Sequence, residues 1–359
     1  MKKFKIISLV LSLVLILSCT SCSYDIEQVV NKDADKSLNG FTLHIIDVGQ
    51  GDSILLECKN QYMLIDAGEY DKGNVVVSYL KNHNIDNLDY AVVTHPHSDH
   101  FGGMKTVLEN VKTDNIVITE AVNTTRSWEK LIDYIDEQNY NVIFPKTNDT
   151  YKLGDSTITA YVPKVTDELN NCSIVMKAEY NGFSAILTGD AEKSEEELIL
   201  QSGFDVSADV LKAGHHGSST STSNKFLEAV APSVSLISCG KNNDYGHPHK
   251  ETVKKLKENN IEMLRTDELG DIQVQFKDKI TVSATNGYNN TINDTNDASS
   301  NGESKTAEKE TYLGNKNSKK FHKKDCQYAT GMTEKNKIYF SSRDEAINNG
   351  YEPCKSCNP

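Results

Sequence analysis

Short apolar runs, each about a strand long, punctuate the chain from Phe41 onward. They are Phe41–Ile46, Ser53–Glu57, Tyr62–Ile65, Ala91–Thr94, Ile116–Thr119, Thr157–Val162, Ser173–Ala178 and Phe183–Thr188. Ala208–Leu211, Val234–Ser238, Ile261–Arg265, Asp271–Phe276 and Lys279–Ser283 follow. Runs of this length, bounded by turn residues, read as strands. Between them, Trp128, Leu131, Ile132 and Ile135 fall at i, i+3, i+4 and i+7, which lays one apolar face along a helix, and Thr252–Asn259 reads as a second, shorter one. The alternation predicts an α/β fold over residues 40–286.

The flanks break this pattern. Met1 to Lys5 is basic, and a dozen mostly apolar residues follow before Ser18-Cys19-Thr20-Ser21-Cys22. That is too short to span a bilayer, and it reads as a signal peptide over 1–22. Ending on cysteine, it resembles a bacterial lipoprotein signal, which implies lipidation at Cys19 (or Cys22), an extracytoplasmic location and a membrane as partner through the lipid. Residues 23–39 are polar and read as a tether, and 287–311 are too poor in apolar residues to bury a core and read as a linker. At 359 residues the chain has room for a further unit, 312–359.

The chemistry concentrates after one strand. Thr94-His95-Pro96-His97-Ser98-Asp99-His100-Phe101-Gly102-Gly103 places three imidazoles and a carboxylate within a few residues of the run Tyr90–Val93. A loop at a strand end aims alternate side chains at one point. His95 and His97 would hold one metal ion, and Asp99 and His100 a second close by. Imidazole and carboxylate suit zinc, and a paired site suits hydrolysis at phosphorus or carbonyl carbon.

This HxHxDH loop resembles the metallo-β-lactamase superfamily, with its αββα sandwich, and further motifs appear in that family's order. Leu64-Ile65-Asp66-Ala67-Gly68 resembles the first, whose Asp braces the metal loop; Leu187-Thr188-Gly189-Asp190 would supply the bridging carboxylate; Leu211 to Ser218 brings the last imidazole, from His215 or His216. Ile46-Asp47-Val48-Gly49-Gln50-Gly51-Asp52-Ser53 and Asn243-Asp244-Tyr245-Gly246-His247-Pro248-His249 are similar to the extracellular nuclease-like domain of ComEC-type DNA-uptake proteins, and to secreted phosphodiesterases such as phosphorylcholine esterases. The resemblance implies metal ligation by His95, His97, Asp99, His100, Asp190, His215 and His216, catalytic roles for Asp99, His216 and His247, and support from Asp47, Asp52, Asp66, Asn171 and Ser173. Of ten histidines, seven lie in these motifs; His44 and His83 read as ordinary surface or edge residues.

Many members carry a histidine between the loop and the bridging Asp, but here the stretch reads Leu169-Asn170-Asn171-Cys172-Ser173. The first ion would be held by His95, His97 and Asp190, and so hard a site would either lower occupancy or favour manganese over zinc at that subsite. Cys172 reads as a small buried residue rather than a ligand.

In 312–359, His322, Cys326, Cys354 and Cys357 form two close pairs of soft ligands, a structural zinc site that staples a small α+β unit; a Cys354–Cys357 disulfide is the rival. The unit resembles the zinc module of the alkylation-repair protein Ada, with His322 where Ada's methyl acceptor is a cysteine. It carries nine Lys and Arg against five acids, +4, which leaves −17 for the rest of a −13 chain. The expectation is a phosphodiesterase or nuclease acting on extracellular DNA, with two divalent ions (zinc or manganese) in the active site. The alternatives are a phosphorylcholine-type esterase and a non-catalytic surface DNA-binding protein.

Overall fold

In the first strand, Phe41, Leu43 and Ile45 point one way and Thr42 and His44 the other. Repeated through neighbouring strands, that alternation builds two sheets with a shared interior. The computed structural model describes residues 40–292, 312–323, 326, 329, 332–340, 343–355 and 357. The signal segment, the tether, both candidate lipidation cysteines and residues 293–311 of the linker lie outside them. The chain divides into two units, Met1–Thr295 and Asn296–Pro359.

In the first unit, β1 (Phe41–Ile45), β2 (Ile54–Cys58), β3 (Gln61–Ile65), β4 (Asn87–Val93), β5 (Lys112–Ile118) and β6 (Asn141–Ile143) belong to one sheet. β7 (Thr150–Leu153), β8 (Ser156–Tyr161), β9 (Val175–Tyr180), β10 (Phe183–Leu187), β11 (Val210–Lys212), β12 (Val234–Ile237) and β13 (Glu262–Arg265) form a second. β14 (Ile272–Phe276), β15 (Ile280–Ala284) and β16 (Asn289–Ile292) return to the first, giving the orders β16-β15-β14-β1-β2-β3-β4-β5-β6 and β13-β12-β11-β10-β9-β8-β7.

Three apolar clusters define four layers. Phe41, Leu43, Ile54, Leu56, Ile158, Met176 and Leu187 belong to the core between the sheets. On the outer face of the first sheet, Leu55, Leu64 and Val93 join Val76 and Leu80 of helix Gly73–Asn82 and Trp128, Leu131 and Ile135 of helix Arg126–Glu137. On the outer face of the second, Ile186 and Leu211 join Ile199, Phe226 and Leu256 of three further helices. Each such side chain contributes about 1.5–3 kcal/mol by leaving water. The result is the expected αββα sandwich.

Three expectations change. Asn289–Ile292 pairs with β15 as an edge strand, so the linker expected from 287 begins later. Ile132 stays 39% exposed at the margin of its helix face. His44 is neither surface nor edge: it is buried in β1, between β14 and β2, with Nδ1 2.9 Å from the Tyr79 hydroxyl and Nε2 3.3 Å from Glu57.

In the second unit, β17 (Tyr312–Asn315), β18 (Lys320–His322), β19 (Lys337–Phe340) and β20 (Glu352–Pro353) form a sheet ordered β19-β17-β18-β20 beside helix Arg343–Asn348. Its apolar interior is two patches, one around Phe321, Phe340 and Tyr351, the other around Leu313, Ala329 and the cysteines.

Candidate metal centre

Parallel pairing gathers the motifs. β3 runs parallel to β4, and β10, β11 and β12 run parallel to one another, so each set opens its carboxyl ends at one edge. Asp66 follows β3, Thr94 to His100 follow β4, Asp190 follows β10, and His215 and His216 follow β11.

Asp190 is the hub. Its Oδ1 lies 3.2 Å from His100 Nε2 and 3.6 Å from His216 Nε2; its Oδ2 lies 3.9 Å from His95 Nε2 and 3.7 Å from His215 Nε2. His95 Nε2 is 3.2 Å from His97 Nδ1, and His216 Nε2 is 3.1 Å from Asp99 Oδ2. Two metal-sized groups therefore share one carboxylate: His95 and His97 with Asp190, and His100 and His216 with Asp190, the donor atoms of each group within 4.8 Å of one another. Asp52 falls within the second radius too, but it meets Lys212 Nζ (2.9 Å) and His216 Nδ1 (3.3 Å), the nitrogen of that ring turned from Asp190. Asp99, which meets the inner nitrogen, is the better second carboxylate.

Hydrogen bonds set which ring atom faces the centre. Thr94 donates to Asp66 through its amide (2.9 Å) and its hydroxyl (2.6 Å), and the Ser173 hydroxyl donates to the Asn170 carbonyl (2.7 Å). Both hydroxyls are then acceptors toward His95 Nδ1, at 3.2 and 3.1 Å. His100 Nδ1 lies 2.8 Å from Asp66, and His216 Nδ1 lies 3.1 Å from the Ser238 carbonyl. In all three rings the outer nitrogen is fixed by an acceptor and the inner one is directed at the centre, the usual way a histidine is oriented as a metal ligand. His100 Nε2 and Asp190 Oδ1 are buried and, although 3.2 Å apart, neither makes an aligned hydrogen bond. A divalent cation would satisfy both, so the donor set fits a pair of ions.

Electrostatics agree. Burial works against charging His100 and His216, yet Asp190 and Asp66 hold His100 well above its usual range, and Asp190 and Asp52 push His216 up to about 10. Burial likewise opposes ionising Asp190, but His100 and His216 outweigh it and hold the carboxyl well below its usual value. His247 moves the other way, lowered to about 4 by burial and by His216 and His215. His215 and His216 both adopt left-handed backbone, φ 50° and 54°, and Asp66 does so at φ 58°. Such conformations cost on the order of 1–3 kcal/mol each and persist where the surroundings over-determine them.

Several expected positions resolve. His216 joins Asp99 and His100; His215, 23% exposed at its side chain, faces the other oxygen of Asp190, with Nδ1 3.4 Å from Glu192. Ser173 stands beside His95 and also accepts the Asp190 amide (3.0 Å). Asn171 is one step removed: it accepts the Glu192 amide and donates to Ser194, while Asn170 lies 3.5 Å from His215. Asp47 does not brace the centre. Its carboxylate accepts the Gly49 amide (3.0 Å), because the chain turns there, and its own amide donates to Asp271. Cys172 is buried with its sulfur against Thr166. Lys212 belongs to none of the expected sets, yet it is fully buried against Asp52, and a lysine inside an apolar strand is the signal for it. Gln50 is a second such residue: its amide nitrogen is 3.4 Å from His247 Nδ1 and its oxygen accepts the Gly240 amide.

In the second unit the ligand atoms of His322, Cys326, Cys354 and Cys357 lie within 4.8 Å of one another, and no disulfide joins the three cysteines. That is the donor set of a structural zinc rather than of a disulfide.

Residues 46–241 match the family model of the metallo-beta-lactamase superfamily, and residues 299–359 match the metal binding domain of Ada. The chain is 33% identical over 256 residues to ComE operon protein 3 of Bacillus subtilis (strain 168), across 66% of this chain and 33% of that protein. It is 28% identical over 241 residues to competence protein ComA of Neisseria gonorrhoeae, across 66% of this chain and 32% of the relative. The chain thus spans about a third of the length of these relatives. Among solved structures, the metallo-beta-lactamase fold protein YhfI from Bacillus subtilis aligns with a TM-score of 0.44 at 14% identity, over 63% of this chain and 95% of that one.

Proposed function

The chain belongs to the metallo-β-lactamase superfamily, and on that premise we propose that it is a metal-dependent phosphodiesterase acting on DNA outside the cell. The observation that carries this is Asp190, one carboxylate with its two oxygens toward two separate sets of imidazoles. A pair of divalent ions, zinc or manganese, would supply polarisation of a phosphoryl oxygen and a nucleophile from water at neutral pH. The relation to ComE operon protein 3 and competence protein ComA supports a DNA substrate.

The chain's own residues supply the rest. Asp66 and Asp52 keep the His100 and His216 rings turned inward. Gln50 can only donate from its amide nitrogen, so Nδ1 of His247 accepts, which leaves the proton on Nε2 as a donor for a phosphate oxygen. His215, steadied by Glu192 and Thr220 and reached by solvent, is positioned to hydrogen-bond the leaving oxygen.

The test is cleavage of DNA, RNA and small phosphodiesters by the purified protein, with and without zinc or manganese. Cleavage of DNA that requires metal and is lost in Asp190→Ala supports the reading. No metal-dependent cleavage of any phosphodiester by the wild type overturns it. The same reading places the enzyme on the outer face of a membrane through lipid on Cys19 or Cys22. Mass spectrometry of the mature N-terminus checks this, and an unmodified N-terminus in culture supernatant contradicts it.

A further inference from the structure

The lip of the metal centre carries an aromatic ring that neither the ligand groups nor the core employs. Tyr245 is 66% exposed. The loop that holds it is tightly fixed. Asn243 donates to the carbonyls of Gly240 (2.8 Å) and His247 (2.6 Å) and accepts the His247 amide (2.9 Å). The Gly246 amide donates to the Asn243 carbonyl (3.2 Å), and His249 Nε2 lies 3.1 Å from the Tyr245 carbonyl. Backbone held from both sides fixes where this residue stands, and its ring is exposed beside the site.

One face of the ring lies against His247, with planes 17° apart and centroids 5.6 Å apart. His247 in turn stands 5.4 Å from His215 and 6.0 Å from His216, centroid to centroid. The loop crest beside the tyrosine is uncrowded: apart from its chain neighbours, a β-carbon built on Gly246 would meet no atom within 4 Å. An aromatic face beside a phosphate-handling centre suits two ligands. A nucleobase stacks on a single face, whereas a quaternary ammonium is held by several aromatic faces closing around it. Among the described residues, His247 is the ring partner of Tyr245 and no second tyrosine, phenylalanine or tryptophan pairs with it. A single open face beside the centre favours the base.

We propose that Tyr245 is a stacking platform for a nucleobase next to the scissile phosphate, so that the site takes an unpaired nucleic-acid strand without reading a particular base. Bases inside a duplex have both faces covered and would have to leave the stack to reach it. This rests on the phosphodiesterase reading of the metal centre and specifies the substrate form.

The experiment compares the metal-loaded wild type with Tyr245→Ala, Tyr245→Leu and Tyr245→Phe on two substrates of equal length and charge: single-stranded oligothymidylate and a base-free deoxyribose-phosphate polymer. Fluorescence anisotropy measures binding of the same strands. The wild type should prefer the base-bearing strand by roughly five- to a hundredfold in KM and Kd, the range of one base–aromatic stack. Tyr245→Ala and Tyr245→Leu should lose that preference, mostly through KM, and Tyr245→Phe should keep it. Metal content and melting temperature identify any variant that has lost its fold. A preference that survives Tyr245→Ala and Tyr245→Leu overturns the stacking role and leaves the nuclease reading standing. A wild type that cuts neither strand but hydrolyses a choline phosphodiester overturns both.

Discussion

Lys212 is fully buried, and so is Asp52, whose carboxyl is held below its usual range against the opposing effect of burial by Lys212 and His216. Removing one partner strands the other charge away from water. Lys212→Met should therefore destabilise the first unit by about 3–5 kcal/mol in denaturant unfolding, and adding Asp52→Asn should recover much of that loss. Asp190→Ala acts on chemistry more than on folding. Partners of metal ligands are worth about 10–100-fold in metal affinity or activity, so the shared ligand should cost on the order of a hundredfold or more, with metal content falling in parallel. The clustered donors were legible in the sequence because His95, His97, Asp99 and His100 fall within six residues and Asp190, His215 and His216 each follow an apolar run. Lys212 and His44 were not. Their roles depend on Asp52 and on Tyr79, partners remote in the chain, and a lysine or histidine in isolation reads as a solvated side chain.

At the scale of elements, two kinds of strand read clearly: those buried at nearly every position, such as Val234–Ile237, and those that alternate, such as Ile272–Phe276. β6, β7 and β16 escaped because they are short or polar. Asn289-Asn290-Thr291-Ile292 has a linker's composition, and only pairing with β15 makes it a strand. Helix Gly73–Asn82 was hidden by its run of valines, a strand signature, although Val76, Val77 and Leu80 face the core. Ending the chain at 286 instead of 292 should uncover the edge of β15 and lower the melting temperature, with aggregation seen by light scattering. Close backbone approach sets another constraint: Gly51 has φ +124°, and a β-carbon there would stand 2.3 Å from the Asp99 carbonyl oxygen, where the Asp52 amide donates at 3.0 Å. Gly51→Ala should push the two loops apart and weaken metal binding, measured by titration, more than it weakens the fold. Trp128→Ala should cost about 3–5 kcal/mol in unfolding free energy, because its ring fills the space between helix Arg126–Glu137 and Phe101.

For the whole molecule, charge is unevenly divided. The −17 carried outside 312–359 is a poor match for a polyanion, and the +4 of the small unit is a better one. Lys319, Lys320 and Lys323 are exposed there, Lys319 with its ammonium 4.6 Å over the Tyr351 ring. Deleting 312–359 should weaken DNA binding and flatten its salt dependence while cleavage of a small phosphodiester persists. Chelation should unfold the isolated unit, since its two apolar patches are too small to hold it without the staple. The crowded carboxylates of the first unit have a different consequence. Without metal at neutral pH, the raised His100 and His216 keep protons on the atoms that an ion would occupy, so protons act as placeholders there. Loading must evict them. Uptake of ions should release acid into a weakly buffered solution, read with an indicator dye. Apparent metal affinity should climb as pH rises from 7 toward the value near 10 at which His216 would empty unaided, and fall as pH drops. Acidification of the surroundings would then disarm the enzyme by exchange at its own ligands, while the sandwich around them stays folded.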